Sequence, residues 1–261
     1  MKKFCLALII LISLANICLA SQTQKEKLGL VGPIKVVTRH TQYFLNPSML
    51  YYKEFYTQNG HLERQVHEIK ITEAIGEHSE KFYDSKEREI KSTVSTTIYD
   101  SKKLKYITKN KGGDVYFFGD LDAGGRKINH WGFLLGTKEP YLVDELKYDA
   151  RGNKIERIYY RYGTNYIKNI ETMKYDEKNR LISEEQRNLE NDTIDEKKYT
   201  YDSDTGWLIK EIAIINATKV KYEYDYEYED IDQYGNWRKM TRKIDGVEWS
   251  RETREIEYYE Y

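Results

Sequence analysis

Apolar and charged residues alternate with a period of two along much of this chain. In the clearest stretch, Val220, Tyr222, Tyr224, Tyr226 and Tyr228 alternate with Lys221, Glu223, Asp225 and Glu227. On a strand this places the apolar and aromatic side chains on one face and the charges on the other. A helix would scatter the same residues around its axis. Residues 34 to 45 read as an entry strand that Asn46-Pro47-Ser48 breaks. Elsewhere the breaks share one grammar. In Tyr148-Asp149-Ala150-Arg151-Gly152-Asn153, an aromatic residue ends the incoming strand. Asp149 can bond backbone amides ahead of it, and Gly152-Asn153 can take positive φ, so the chain reverses.

That turn recurs. Tyr-Asp pairs stand at Tyr83-Asp84, Tyr99-Asp100, Tyr148-Asp149, Tyr175-Asp176 and Tyr201-Asp202, with looser copies at Tyr56-Thr57 and Tyr228-Glu229. The steps Tyr56 to Tyr83, Tyr148 to Tyr175 and Tyr201 to Tyr228 are 27 residues each, and Tyr175 to Tyr201 is 26. A constant step of this size marks one supersecondary unit copied along the chain. Two strands and two turns fit that length, so the unit is a hairpin. Residues 111 to 136 are irregular and glycine-rich, which fits either a degenerate repeat or an inserted loop.

The Tyr-Asp-x-x-Gly-Asn turn followed by an apolar strand resembles the YD repeat of the RHS-repeat proteins. Tyr148 to Asn153 carries the resemblance best, and Gly235-Asn236-Trp237 matches a common ending of the motif. Asn179 replaces the turn glycine in one copy, and Trp207 follows Gly206 where Asn is usual. The similarity spans about Tyr51 to Trp249. It implies a small exported relative of the kind found in bacterial envelopes. The chain is too short for the cargo-enclosing shells of the long members.

Composition adds a compartment. Lys2 and Lys3 precede an apolar run from Phe4 to Ile12, and Cys18-Leu19-Ala20 offers small residues before a cut. This fits a secretory signal peptide cleaved between Ala20 and Ser21. A retained anchor and a lipoprotein at Cys18 are the competing readings. Both cysteines, Cys5 and Cys18, lie in that segment, so the mature chain has no disulfide, Cys nucleophile or Cys-ligated zinc. The 42 basic and 43 acidic side chains nearly cancel and are interleaved, which gives no reason to expect a nucleic-acid partner. The outlier is tyrosine, with 25 copies, a residue suited to half-buried β surfaces because the ring packs while the hydroxyl stays wet.

Candidate chemistry is sparse. Tyr222, Tyr224 and Tyr226, with Trp237 and Trp249, could stack a sugar; Trp207 and Tyr228 stand beside them in the pattern. The same rings serve equally as a cross-strand ladder, at about 0.2–1 kcal/mol per pair. Asp202 to Gly206 and Asp120 to Gly124 look like calcium loops, but the twelfth positions are Ala213 and Trp131, not Glu. His40, His61, His67, His78 and His130 are scattered. No nucleophile elbow, zinc helix or phosphate loop occurs. No catalytic, metal or cofactor residue is therefore assigned.

These residues predict an all-β fold: repeated antiparallel hairpins stacked into a long, twisted and curled sheet behind a signal peptide. The expected division is 1–20 leader, 21–33 linker and 34–261 YD-repeat-like β domain. The concave side should hold Tyr, Ile, Leu and Trp, and the first and last strands should leave edges. Whether the sheet closes is not written in the pattern. The expected function is a non-catalytic scaffold, exported to the periplasm or cell surface, meeting a protein or glycan of the envelope. It should have no membrane span once the leader is cut. A carbohydrate-binding module using the aromatic stripe is the alternative. A hydrolase of envelope polymers is a third, resting on the abundant carboxylates and predicting a two-carboxylate cleft.

Overall fold

The structure is a computed structural model that describes residues 30–43, 46–71, 74–93, 95–133, 138–216 and 218–260. The expected leader, its cut between Ala20 and Ser21, and residues 21–29 lie outside the described residues. The first nine strands are β1 (Ile34–Tyr43), β2 (Asn46–Tyr56), β3 (Leu62–Ile71), β4 (Ala74–Tyr83), β5 (Glu89–Ser92), β6 (Ser95–Asp100), β7 (Lys105–Asn110), β8 (Val115–Asp120) and β9 (Asn129–Phe133). There follow β10 (Pro140–Tyr148), β11 (Lys154–Tyr160), β12 (Ile167–Tyr175), β13 (Leu181–Asn188), β14 (Thr193–Tyr201), β15 (Leu208–Ile215), β16 (Val220–Ile231), β17 (Trp237–Ile244) and β18 (Val247–Tyr258). No described residue is helical.

Each strand pairs antiparallel with the next in sequence. β1 also pairs with β18, from Ile34 opposite Tyr258 to Tyr43 opposite Ser250. The 18-stranded sheet is thus a closed up-and-down barrel. This corrects the expectation of an open, curled sheet with two terminal edges. Each of those two strands covers the other's unpaired backbone groups, so neither edge remains. The glycine-rich middle forms β8 and β9, a degenerate hairpin of the same wall.

The even-to-odd turns share one rim, and there the Tyr-Asp pair has a defined job. Asp176 accepts the amides of Lys178 (2.9 Å) and Arg180 (2.8 Å), and its other oxygen accepts Arg180 Nε at 2.7 Å. Asp149, Asp84 and Asp232 hold the amides two and four residues ahead in the same way. The third residue past Asp has positive φ, as at Gly152 (89°) and Asn179 (60°). Asparagine tolerates that left-handed state better than other side chains, so it can stand in for the glycine. The extra residue leaves a bulge where the strands resume.

The tyrosine ties one turn to the neighbouring one. Its hydroxyl donates to the carbonyl at the head of the preceding repeat's outgoing strand. The pairs are Tyr148 to Lys127 (2.9 Å), Tyr175 to Lys154 (3.0 Å), Tyr201 to Leu181 (2.8 Å) and Tyr228 to Leu208 (2.7 Å). The turn arginine, held by its own Asp, lies over the next tyrosine ring: Arg88 over Tyr99 (4.1 Å), Arg126 over Tyr148 (4.6 Å) and Arg180 over Tyr201 (4.6 Å). Each such contact contributes about 0.5–1 kcal/mol when exposed. The three together contribute about 1.5–3 kcal/mol.

The apolar core sits where the barrel closes. Leu30, Ile34, Val37, Tyr56, Leu62 and Ile256 are buried together, with Tyr83 and Tyr258 against them. Asn236 clasps the entering chain: Val31 N donates to its Oδ1 and its Nδ2 donates to the Val31 carbonyl, both at 2.7 Å. The final residues of the expected linker are therefore packed against the wall.

Elsewhere the inner face carries the expected tyrosines, such as Tyr222 to Tyr228, but mixes them with charged side chains, which the expectation of a concave side filled with Tyr, Ile, Leu and Trp did not include. Glu54 is fully buried among Arg39 (2.8 Å), Tyr56 (3.1 Å) and Gln65 (3.1 Å). Further round, Tyr226 and Arg242 meet Glu211, and Tyr199 meets Glu184. Eighteen strands enclose more space than side chains can fill. Inward groups therefore face water and one another, and charges in pairs are tolerated.

Two substitutions separate the roles within the motif. Asp176→Ala should cost about 2 kcal/mol in denaturant unfolding, since it strands two turn amides and Arg180. Tyr201→Phe should cost about 1 kcal/mol, for one hydroxyl bond. Equal or zero effects would contradict this division of labour.

Candidate functional site

The register brings Thr97, Thr108, Phe117, His130, Asp144 and Arg157 to one face of the wall, and there they line a recess of about 300 Å³. A larger recess of about 790 Å³ opens from it towards the Tyr-Asp rim, between the turns at Glu87, Gly125 and Gly152. Glu89, Lys127 and His130 border both. This is the inner side of the barrel.

Three strands supply its best-ordered cluster. His130 on β9 stands opposite Asp144 on β10, where a bulge after Leu142 shifts the register. His130 Nδ1 lies 2.5 Å from Asp144 Oδ1. Arg157 on β11 donates to Asp144 Oδ2 from Nε (3.0 Å) and Nη2 (2.5 Å). Asp144 is 1% exposed. Burial alone would raise its pKa, but the His130 contact and the Arg157 guanidinium outweigh it and hold the carboxyl below the usual carboxylate range. For Arg157, the cost of burial is likewise outweighed by Asp144, and its pKa rises.

Tyrosines wall the cluster. Tyr106 is 1% exposed, packs edge-on to His130 at 5.6 Å and donates to the Asn129 carbonyl at 2.7 Å. Burial pushes its phenol well above the ordinary tyrosine value. Gly119 makes this fit possible: a Cβ there would lie 2.2 Å from the Asn129 oxygen and 2.7 Å from the Tyr106 ring. Lys127 Nζ sits 4.4 Å from the Tyr106 centroid and 5.6 Å from that of Tyr99. Burial lowers its pKa, against the opposing pull of Glu89 and Asp144. Burial, chiefly, pushes the Tyr83 phenol up to about 12. Five Lys and Arg residues (Lys86, Arg88, Arg126, Lys127, Arg151) border the larger recess; Asp84 and Asp122 neutralise Arg88 and Arg126, which leaves three cations against Glu87 and Glu89, a slight excess of positive charge.

The aromatic stripe singled out in the sequence lies elsewhere. Tyr222, Tyr224, Tyr226 and Tyr228 share the inner face of β16, and none borders either recess. Arg242 lies over Tyr224 (4.0 Å) and near Tyr226 (5.6 Å). Tyr226 donates to Glu211 at 2.7 Å. Trp237 is sandwiched between Tyr228 (5.2 Å) and the Arg254 guanidinium (3.3 Å), and Trp207 contacts Tyr228 at 5.0 Å. Trp237 begins β17 on the Tyr-Asp rim, whereas Trp249 lies near the start of β18 at the other rim. The two calcium-like loops are turns of the repeat: Asp202 accepts the Thr205 amide (2.7 Å) and Asp122 the Arg126 amide (2.9 Å).

Sequence reasoning did not single out Asp144, Arg157, Lys127 or Glu89. One signal was available. Asp144 falls in step with Leu142, Leu146 and Tyr148, an acid on the apolar parity of its strand. Its partners are 14 and 13 residues away across different turns, so no local motif joins them.

No protein-family model matches this chain, and no curated protein matches it. Among solved structures, a porin-like protein from Bacteroides uniformis is 11% identical, covers 87% of this chain and 99% of its own, and has a TM-score of 0.43. A porin-like protein from Bacteroides vulgatus is 12% identical over 71% of this chain and 95% of its own, with a TM-score of 0.42. The TcdB2-TccC3-TEV structure is 12% identical over 80% of this chain but only 15% of its own, with a TM-score of 0.32. Likenesses this loose carry no functional argument, which must come from the residues.

Asp144 links stability to acidity. Its folded pKa is depressed, so its contribution is complete above the ordinary value of about 4 and is lost as pH falls through the lowered one. Asp144→Asn should cost about 2–3 kcal/mol at pH 7 by stranding Arg157. It should also flatten the acid limb of a melting-temperature profile. An unchanged limb would assign acid sensitivity to other carboxylates.

Proposed function

We propose that this protein is an exported β-barrel scaffold that stands in water and receives a ligand inside its lumen. The ion pairs of the outer wall carry this reading. Arg64–Glu80 (2.8 Å), Lys147–Glu156 (2.6 Å), Lys210–Glu223 (2.9 Å) and Lys243–Glu227 (2.5 Å) all point away from the lumen. Facing lipid, a basic side chain at the bilayer midplane would cost about 2–4 kcal/mol. An apolar row of Ile98, Ile107, Phe118 and Trp131 crosses the outside on β6 to β9, and Ile158 and Ile170 make a shorter outward pair on β11 and β12. A lipid belt has to encircle a barrel, and among the described residues the outer ion pairs interrupt these patches. No helix among the described residues is long and apolar enough to cross a membrane. The leader pattern of residues 1–20 supports export, to the periplasm or cell surface of a bacterium, and the YD-repeat resemblance supports a scaffold there.

A second reading has its own observation. The His130 ring is oriented through Nδ1 by a buried carboxylate and borders both recesses, as a general base would. It makes the protein a hydrolase with water as nucleophile.

The first reading expects the mature chain to purify without detergent and to stay behind when lipid vesicles are floated. Recovery only in detergent, or stepwise conductance across a planar bilayer, would overturn it. The second expects turnover of an ester or glycoside library that His130→Ala abolishes while the fold survives by circular dichroism. Absence of any turnover removes that reading.

A further inference from the structure

We propose that the larger recess is a binding site for a small organic anion with a flat aromatic body, and that Lys127 is its charge contact. The inference rests on the reading of a water-filled lumen and names the ligand class of that same site.

The charge argument comes first. Arg88 and Arg126 border the recess but are committed to Asp84 and Asp122 within their own turns, at 2.7 and 2.6 Å. Lys127 differs. Among the described ion pairs none involves Lys127, and its ammonium rests on the rings of Tyr106 and Tyr99. Arg88 adds a second unspent donor, since its Nη1 is buried without a hydrogen-bond partner. Gly125 makes room beside it: an added Cβ would lie 3.3 Å from that nitrogen. Lys127 and Arg88 both border the recess and both lie against the Tyr99 ring, and a half-buried ammonium without a carboxylate partner is costly. A carboxylate arriving from solvent would relieve the ammonium.

The walls specify the rest of the ligand. Tyr83, Tyr99 and Tyr148 border the recess. Their hydroxyls are already engaged: Tyr83 with Gln65 Oε1 (3.2 Å), Tyr99 with the Glu89 carbonyl (3.2 Å) and Tyr148 with the Lys127 carbonyl (2.9 Å). Bonded this way, the rings are held as fixed walls rather than as free donors, so little side-chain entropy is lost on binding. A hydroxyl-rich ligand would leave water and find few open partners here. A planar ring needs no hydrogen-bond partner here and would meet the tyrosine rings together with the cations that already lie over Tyr99 and Tyr148. The volume of about 790 Å³ falls within the usual range for small-molecule sites.

The test is calorimetric titration of the full mature chain with four probes. They are 2-naphthoate, its neutral amide 2-naphthamide, the hydroxyl-rich anion glucuronate, and inorganic phosphate. The site expects 2-naphthoate to bind at least about tenfold more tightly than the other three. Lys127→Gln should weaken 2-naphthoate about tenfold or more while leaving the melting temperature nearly unchanged. Lys127→Arg should restore most of the affinity, and Lys210→Gln on the outer wall should change nothing. Equal binding of naphthoate and naphthamide overturns the charge contact but leaves a ligand-bearing lumen. Equal or tighter binding of glucuronate or phosphate overturns the aromatic body. No binding of any probe overturns the site, while vesicle flotation judges the water-standing barrel separately. A loss in Lys127→Gln that Lys127→Arg does not restore also counts against the charge contact.

Discussion

The pairing of β1 with β18 is the constraint on which this structure depends. It joins Ile34 to Tyr258 at one end and Tyr43 to Ser250 at the other, across more than two hundred residues of chain. Without it the wall would present two long edges with free amides and carbonyls, which invite pairing with other chains. With it the inside and the outside become different places. The buried cluster of Leu30, Ile34, Val37, Tyr56, Leu62 and Ile256 lies at this seam, so the strongest apolar packing is spent where loop-closure entropy is largest. Asn236 and Tyr259 reinforce it with bonds to the Val31 backbone and the Tyr56 carbonyl.

Away from the seam, stability is distributed rather than concentrated. In the regular repeats a turn spends an aspartate on its own amides and a tyrosine on its neighbour's carbonyl, whereas the Tyr56 and Tyr83 hydroxyls turn to Glu54 and Gln65. The arginine that completes one turn covers the ring that begins the next. Such a ring of modest contacts needs no disulfide and little apolar core. It also explains why tyrosine outnumbers phenylalanine: the ring packs sideways while the hydroxyl reaches a carbonyl that phenylalanine would leave without a partner.

The recesses lie where the repeat is least regular. Gly124 and Gly125 line the larger one, and Gly119 lets Tyr106 lie across β8. A fully regular copy would fill the same wall with larger side chains. Departure from the repeat creates space, and the buried Asp144 holds the three strands around it in register through His130 and Arg157. Structure and site are therefore coupled there: the group that fixes the wall also orients the imidazole bordering both cavities.

Strand identity, hairpin order and turn chemistry were legible in the chain because each is decided within a few residues. Period-two alternation defines a strand, and Asp with a following Gly or Asn defines its reversal. The resemblance to YD repeats rests on those same local residues. Closure was not legible, because nothing local to Ile34 or Tyr258 says that they meet; the accumulated twist and stagger of all the strands between them decides it. The polar lumen followed from closure, since the width of an 18-stranded barrel, not the pattern of any one strand, sets how much an inner face can bury. His130, Asp144, Arg157 and Lys127 stayed hidden for the same reason. Their meeting depends on register across β9, β10 and β11, including a bulge after Leu142, and register belongs to neighbouring strands together rather than to any one segment.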